Sequence, residues 1–172
     1  GIWQFMPRTG KQYMRVNYAV DERNDPITSS RAAAKLLRFN YKKLGSWPLA
    51  ITAYNHGATG MARMLRKYNA TTLDELLFKR KGSFGFASAN FFASYLAVLH
   101  VEKYADRYFK KPLWDQPFHH NKIKLRKFLN AKEVIKWFKG NKKLAKQWNP
   151  HISHRAWKGW VLLHPKDYVN VP

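Results

Sequence analysis

The chain has 172 residues and sets 32 Lys and Arg against 10 Asp and Glu, a formal net charge of +22. Its 45% hydrophobic and 16% aromatic content is enough for a real core, which excludes wholesale disorder. Apolar runs end well short of membrane-spanning length, and the absence of cysteine excludes disulfides and thiolate metal sites. Seven histidines are present, but no His-x-x-x-His pair accompanies a glutamate, so neither a metal nor another cofactor is expected.

The charge is unevenly spread. Lys and Arg number nineteen against seven acids in residues 1–112, and thirteen against three in residues 113–172. Such a balance implies a polyanionic partner: nucleic acid, an anionic membrane or an acidic wall polymer. Charge alone does not choose among them. No helix-turn-helix, zinc or RNA-recognition signature accompanies it, so no specific nucleic-acid partner is expected.

In chain order, Arg8 to Tyr13 can form a short helix before a loop-like stretch to Asp25. Asp25-Pro26 is a helix start, with Asp as N-cap and Pro at the first helical position. Ala33, Leu37, Tyr41 and Leu44 then recur at helical spacing, and Gly45 is placed to cap the end. Trp47-Pro48 opens the next helix through Tyr54; Gly57 and Gly60 break it, and Met61 to Tyr68 resumes. Thr72 to Glu75 has capping-box spacing. Lys79 to Gly82 reads as an exposed loop. Ser88 to Tyr104 is an aromatic-rich helix with Phe91, Tyr95, Leu96 and Leu99 facing inward and Phe92 a further candidate. Lys110 to Asn121 reads as a linker.

Beyond it the pattern changes. Lys122 to Arg126 alternates charged and apolar residues, as a half-buried strand does. Asn130 is placed to start a helix bearing Val134, Ile135 and Phe138 on one face. Gly140 can cap it, and Asn141 can start a second helix with Leu144, Ala145 and Trp148. Trp160 to Leu163 reads as a closing strand. Trp137, Trp148 and Trp157 are expected in the core.

Three stretches resemble one family. Gly1-Ile2-Trp3-Gln4-Phe5-Met6-Pro7 resembles the glycine-glutamine motif of bacterial lytic transglycosylases and goose-type lysozymes. Ala53-Tyr54-Asn55-His56-Gly57 is similar to their Ala-Tyr-Asn-x-Gly motif. Asp21 to Pro26 with Arg31 to Leu37 resembles their connecting segment. On pattern alone, each could equally be ordinary core followed by a turn. The resemblance implies a mainly α protein: a lysozyme-like helical domain over residues 1–112, followed by a small strand-helix-helix-strand module over 113–172. That module resembles a LysM glycan-binding unit, with a small α+β lid of the enzyme domain as the competing reading.

The resemblance also implies a chemistry. One glutamate, kept largely neutral by desolvation, protonates the glycosidic oxygen between N-acetylmuramic acid and N-acetylglucosamine in peptidoglycan. The muramyl 6-hydroxyl or water then completes the reaction. In the family that glutamate precedes the glycine-glutamine motif, so it is expected upstream of Gly1, and the chain reads as the remainder of a longer protein. Tyr54 is implied as a catalytic residue. Gly1, Ile2, Trp3, Gln4, Phe5, Met6, Asn55 and Phe91 are implied at the substrate cleft, with Asn55 fixing its loop. Ala87 and Phe91 stand where the family often has Glu and Tyr, so substrate contacts near that helix are expected to differ.

Among the ten acids, Asp25, Asp74 and Glu75 fit helix starts, while Glu22, Glu102 and Asp106 sit in charged contexts and read as surface. Trp3 and Trp114 are candidate sugar-stacking platforms. The partner implied is the peptidoglycan glycan strand, met as a monomer in the periplasm or outside the bacterial cell. A catalytically idle wall-binding protein is the alternative.

Overall fold

A computed structural model describes residues 1–79, 85–110 and 119–172. Trp114 lies outside the described residues, as do parts of the loop expected at 79–82 and of the linker expected at 110–121. The described residues form, in order, α1 (Pro7–Gly10), a 3-10 turn (Glu22–Asn24), α2 (Pro26–Leu44), α3 (Trp47–His56), α4 (Ala58–Lys67), α5 (Leu73–Lys79), α6 (Phe86–Lys103), α7 (Ala105–Tyr108), β1 (Asn121–Lys124), α8 (Ala131–Trp137), α9 (Lys142–Trp148), α10 (His154–Trp157) and β2 (Tyr168–Val171). The protein is mainly α, with one two-stranded antiparallel sheet in which Asn121 faces Val171 and Lys124 faces Tyr168. No described helix is long and apolar enough to cross a membrane.

Helix starts follow local chemistry. Asp25 accepts from the Thr28 N–H at 2.8 Å, and Pro26 occupies the first turn, where its missing N–H costs nothing. Asn130 and Asn141 cap α8 and α9 through the N–H groups of Lys132 and Leu144. The Thr72 hydroxyl accepts from Glu75 N–H; the return bond runs from Thr71 N–H to Glu75, one residue earlier than a capping box places it. Gly45 ends α2 at φ +81, which glycine adopts without penalty. Gly60 does not interrupt a helix: only Gly57 breaks the chain, and α4 begins directly after it.

Two compact units are present. One comprises Gly1–Ala33 with Gln116–Pro172, the other Ala34–Asp115. The first has a core of Val20, Ala131, Val134, Phe138, Ala145, Ile152, Ala156, Trp157, Leu163 and Val169. The residues after Met14 thus share a core with the C-terminal stretch; Val20 bridges Ile152, and Ser153 N–H donates to Ala19 O. The second unit packs Leu49, Ala53, Met61, Met64, Leu73, Leu76 and Ala89.

Several expectations are corrected. In α6, Tyr95, Leu96 and Leu99 are 41%, 48% and 40% exposed and do not face inward. That helix is apolar on all sides, so periodicity gave no inward face. The four residues of β1 are all exposed, so this strand is not half-buried; the alternation places only Leu125, just after it, in the core. The closing strand is Tyr168–Val171 rather than 160–163, where Leu163 makes an isolated bridge to Leu129. Trp157 is buried and Trp148 packs against the core, but Trp137 is 44% exposed. Glu22 is buried rather than at the surface.

Candidate functional site

In the unit Ala34–Asp115, Tyr54, Asn55 and His56 form the last turn of α3. The helix stops there because Gly57 takes φ +85 and returns its N–H to Ala53 O at 2.8 Å. Tyr54 is half-buried, and burial pushes its hydroxyl up to about 12. The group therefore stays protonated at neutral pH and serves as a hydrogen-bond donor, not a base.

Asn55 Nδ2 donates to Ser88 Oγ at 3.3 Å, and His56 Nδ1 lies 3.2 Å from the same hydroxyl. A serine hydroxyl that accepts from Asn55 still has its proton to give to a neutral imidazole. Burial, and then Arg63, lower the His56 pKa, which keeps the ring neutral for that bond. A Cβ on Gly60 would sit 3.1 Å from the His56 ring, so α4 passes the ring at a residue without a side chain. Ser88 and Phe91 are one turn apart on α6, and Phe91 is half-buried. The sequence reading named Tyr54, Asn55 and Phe91 as site residues and named neither Ser88 nor Gly60 among them. Nothing near Ser88 in the sequence marks it, since its partners Asn55 and His56 lie 33 and 32 residues away.

In the other unit, the first six residues divide into anchors and exposed groups. Gly1 presses against the Arg23 carbonyl so closely that any Cβ would overlap it. Trp3 is half-buried, with its indole N–H given to Ser30 Oγ at 2.7 Å. Phe5 is buried against Tyr13, and its carbonyl accepts from Arg23 at 2.9 Å. Ile2, Gln4 and Met6 are exposed. Gln4 has φ +49, a left-handed conformation that costs a non-glycine residue energy, and its side chain folds back to Gly1 O at 2.8 Å.

The same unit contains a buried polar hub around Asp25. Tyr168 Oη donates to Asp25 Oδ2 at 2.8 Å and Asn170 Nδ2 at 3.2 Å, with Lys122 Nζ at 3.9 Å. Desolvation pushes the Asp25 carboxyl up, but the Thr28 N–H, Tyr168, Asn170 and Lys122 outweigh it and hold it at about 2. His151 is fully buried; its Nε2–H donates to Tyr168 O at 3.0 Å, and desolvation lowers its pKa. Glu22 accepts from Arg15 N–H at 2.7 Å, and burial raises its pKa. A raised glutamate is what a glycosidase acid needs. Glu22, however, is buried and committed to a backbone N–H, which makes it a strut for the loop. Among the described residues no group of three or more His, Asp and Glu is placed to hold a metal ion.

Residues 1–77 match the model of the Transglycosylase SLT domain family. Over this stretch, less than half of the chain, the sequence is similar to that family. Two relatives, each "Membrane-bound lytic murein transglycosylase D", come from Escherichia coli K12 and from Escherichia coli O6:H1 strain CFT073; each is 33% identical over 72 residues. That alignment covers 41% of this chain and 16% of either relative. The SLT segment takes in Gly1 to Met6, the Asp25 cap, and Tyr54 to His56. Ser88, Phe91 and the whole C-terminal stretch lie beyond it.

Proposed function

We propose that this chain is part of an enzyme that cleaves peptidoglycan glycan strands between N-acetylmuramic acid and N-acetylglucosamine, with a single glutamate upstream of Gly1 as general acid. The observation that carries the reading is the SLT segment itself, with Tyr54 at the end of α3. Tyr54 is the catalytic residue of this chain: a hydroxyl kept protonated by burial donates to the acid or to the N-acetyl region of the substrate. Gly1, Ile2, Trp3, Gln4, Phe5 and Met6 contribute to substrate binding through a backbone pinned by Trp3, Phe5 and Arg23. Asn55 fixes its loop through Ser88, and Phe91 takes part in substrate contact. The residues from 113 onward act as a LysM-like glycan-binding module. Work on such a polymer places the protein in the periplasm or outside the cell.

The test is digestion of purified sacculi by the full-length protein and by Tyr54→Phe, with products separated by mass. Release of 1,6-anhydro muropeptides marks transglycosylation; reducing-end products mark hydrolysis. No cleavage by the parent protein overturns the enzyme reading and leaves a wall-binding protein.

A further inference from the structure

The stretch from residue 119 onward carries thirteen Lys and Arg against two acids, Glu133 and Asp167. Both acids are already spent: Asp167 Oδ1 lies 2.6 Å from Arg15 Nη1, and Glu133 lies 2.7 Å from Lys136 Nζ. Alongside β1 runs an open groove of about 990 Å³, whose lining includes Lys124, Arg126 and Lys127, with Leu125 beneath and Ile123 and Trp137 exposed beside them. Lys122, at its end, is turned to Thr28 Oγ1 at 2.9 Å and over the Tyr168 ring. Lys124, Arg126 and Lys127 are exposed, and among the described residues no carboxylate pairs with any of them.

We infer that this groove binds the carboxylate-bearing stem peptides of peptidoglycan, with Trp137 and Ile123 against their apolar parts. This rests on the reading of peptidoglycan as the polymer. Three unpaired cations have nothing to meet on uncharged N-acetylated sugars, so the charge complementarity falls on the peptides. A concave surface suits a chain that lies in it and does not suit a flat lipid headgroup layer. The apolar floor and the indole supply contact that salt does not screen.

The experiment is co-sedimentation of the full-length protein with sacculi in the cold, and with insoluble chitin, an N-acetylglucosamine polymer that carries neither peptide nor carboxylate. The groove triple variant Lys124→Gln, Arg126→Gln, Lys127→Gln is compared with Lys142→Gln, Lys143→Gln, Lys146→Gln, an equal charge loss on exposed positions of α9. Intact sacculi should bind the groove variant about ten-fold more weakly and the α9 variant within about two-fold of the parent. Trp137→Ala should lower the binding that survives high salt. Chitin, which offers sugar without carboxylates, should bind the groove variant and the parent equally. Equal losses in the two triple variants, or a loss of chitin binding by the groove variant as large as its loss of sacculus binding, would overturn the assignment. So would a short DNA duplex that displaces the protein from sacculi and loses affinity in step with the groove variant. Product release is scored in parallel. A parent that binds in this pattern but never cleaves retires the enzyme reading alone; one that cleaves while the groove variant binds like the parent retires the groove alone.

Discussion

The Tyr168 hydroxyl, on the last strand, donates to Asp25 at the first turn of α2 across 143 residues of sequence. The direction of the whole chain of bonds follows. Asp25 is ionised and only accepts, so Tyr168 spends its proton there; Thr28 must then donate to Tyr168, and Lys122 donates to Thr28. An ammonium and a carboxylate are thus joined through two hydroxyls aligned head to tail, in a chain that runs from an exposed lysine to a buried carboxylate.

Tyr168→Phe should break that chain at its centre. The expected cost is about 1–3 kcal/mol, the range for a buried hydrogen bond to a charged group. The Asp25 carboxyl should rise from about 2 while retaining its bonds to Thr28 and Asn170. Denaturant unfolding with carboxyl-resolved NMR titration checks both. An unchanged Asp25 titration would show that the tyrosine merely packs there.

Acid should unfold this unit in two stages. His151 has a folded pKa below its ordinary value, so its neutral burial contributes stability above about 6.5 that is lost as pH falls through the folded value. Asp25, at about 2 in the fold, contributes stability above about 3.9 that is lost as pH falls toward 2. Glu22, raised by burial, works in the opposite sense: it costs stability at neutral pH and returns it as pH falls through its raised value to about 4.3, before the second stage begins. His151→Gln keeps a donor for the Tyr168 carbonyl but cannot titrate, and should remove the first stage. Melting temperatures of parent and variant that fall in parallel between pH 7 and 5 would sink this account.

The helix starts were legible because each is decided within four residues. Asp25-Pro26, Asn130 and Asn141 carry their caps in their own side chains, and Gly45, Gly57 and Gly140 carry their positive φ. The mainly α class followed directly. The closing strand was not legible: Trp160 to Leu163 is the more apolar run, yet Tyr168–Val171 pairs with β1 because Asn149 grips Asn170 N–H at 2.6 Å and its carbonyl at 3.0 Å. Nothing near Asn170 announces a partner 21 residues away. Glu22 failed for a similar reason, since charged neighbours in sequence suggested a surface that the packing of 15–22 removed. At the candidate site the resemblance named Tyr54 and Asn55, whereas Ser88 carried no signal, because its role exists only once α3 and α6 are together.

Ser88→Ala tests that last point. It removes the hydroxyl that Asn55 and His56 share, and should cost about 1 kcal/mol of stability, the usual net value of a hydrogen bond. Loss of the Ser88 proton also removes a bond that favours neutral His56, so the imidazole pKa should rise. Histidine NMR titration reads this, and a rise is expected although the burial of the ring is unchanged. A fall in the His56 pKa would mean that Ser88 accepts from the ring instead.

The final prediction concerns Tyr54 and the proposed cleavage. Its hydroxyl is held at about 12 by burial, so between pH 5 and 9 it does not change charge and should contribute no limb to the rate profile. Tyr54→Phe in the full-length protein should therefore lower kcat by about one to three orders of magnitude at every pH in that range, leaving the profile's shape intact. The fold should survive, because the ring and its packing remain. Gln4→Ala should act mainly on KM, since it loosens the bond to Gly1 that sets the backbone before Phe5 and leaves the Tyr54 donor untouched. Muropeptide release measured across pH for the three proteins separates these outcomes. Turnover by Tyr54→Phe at the parent rate would remove the hydroxyl from the chemistry, and a pH limb that vanishes only in this variant would show that it titrates after all.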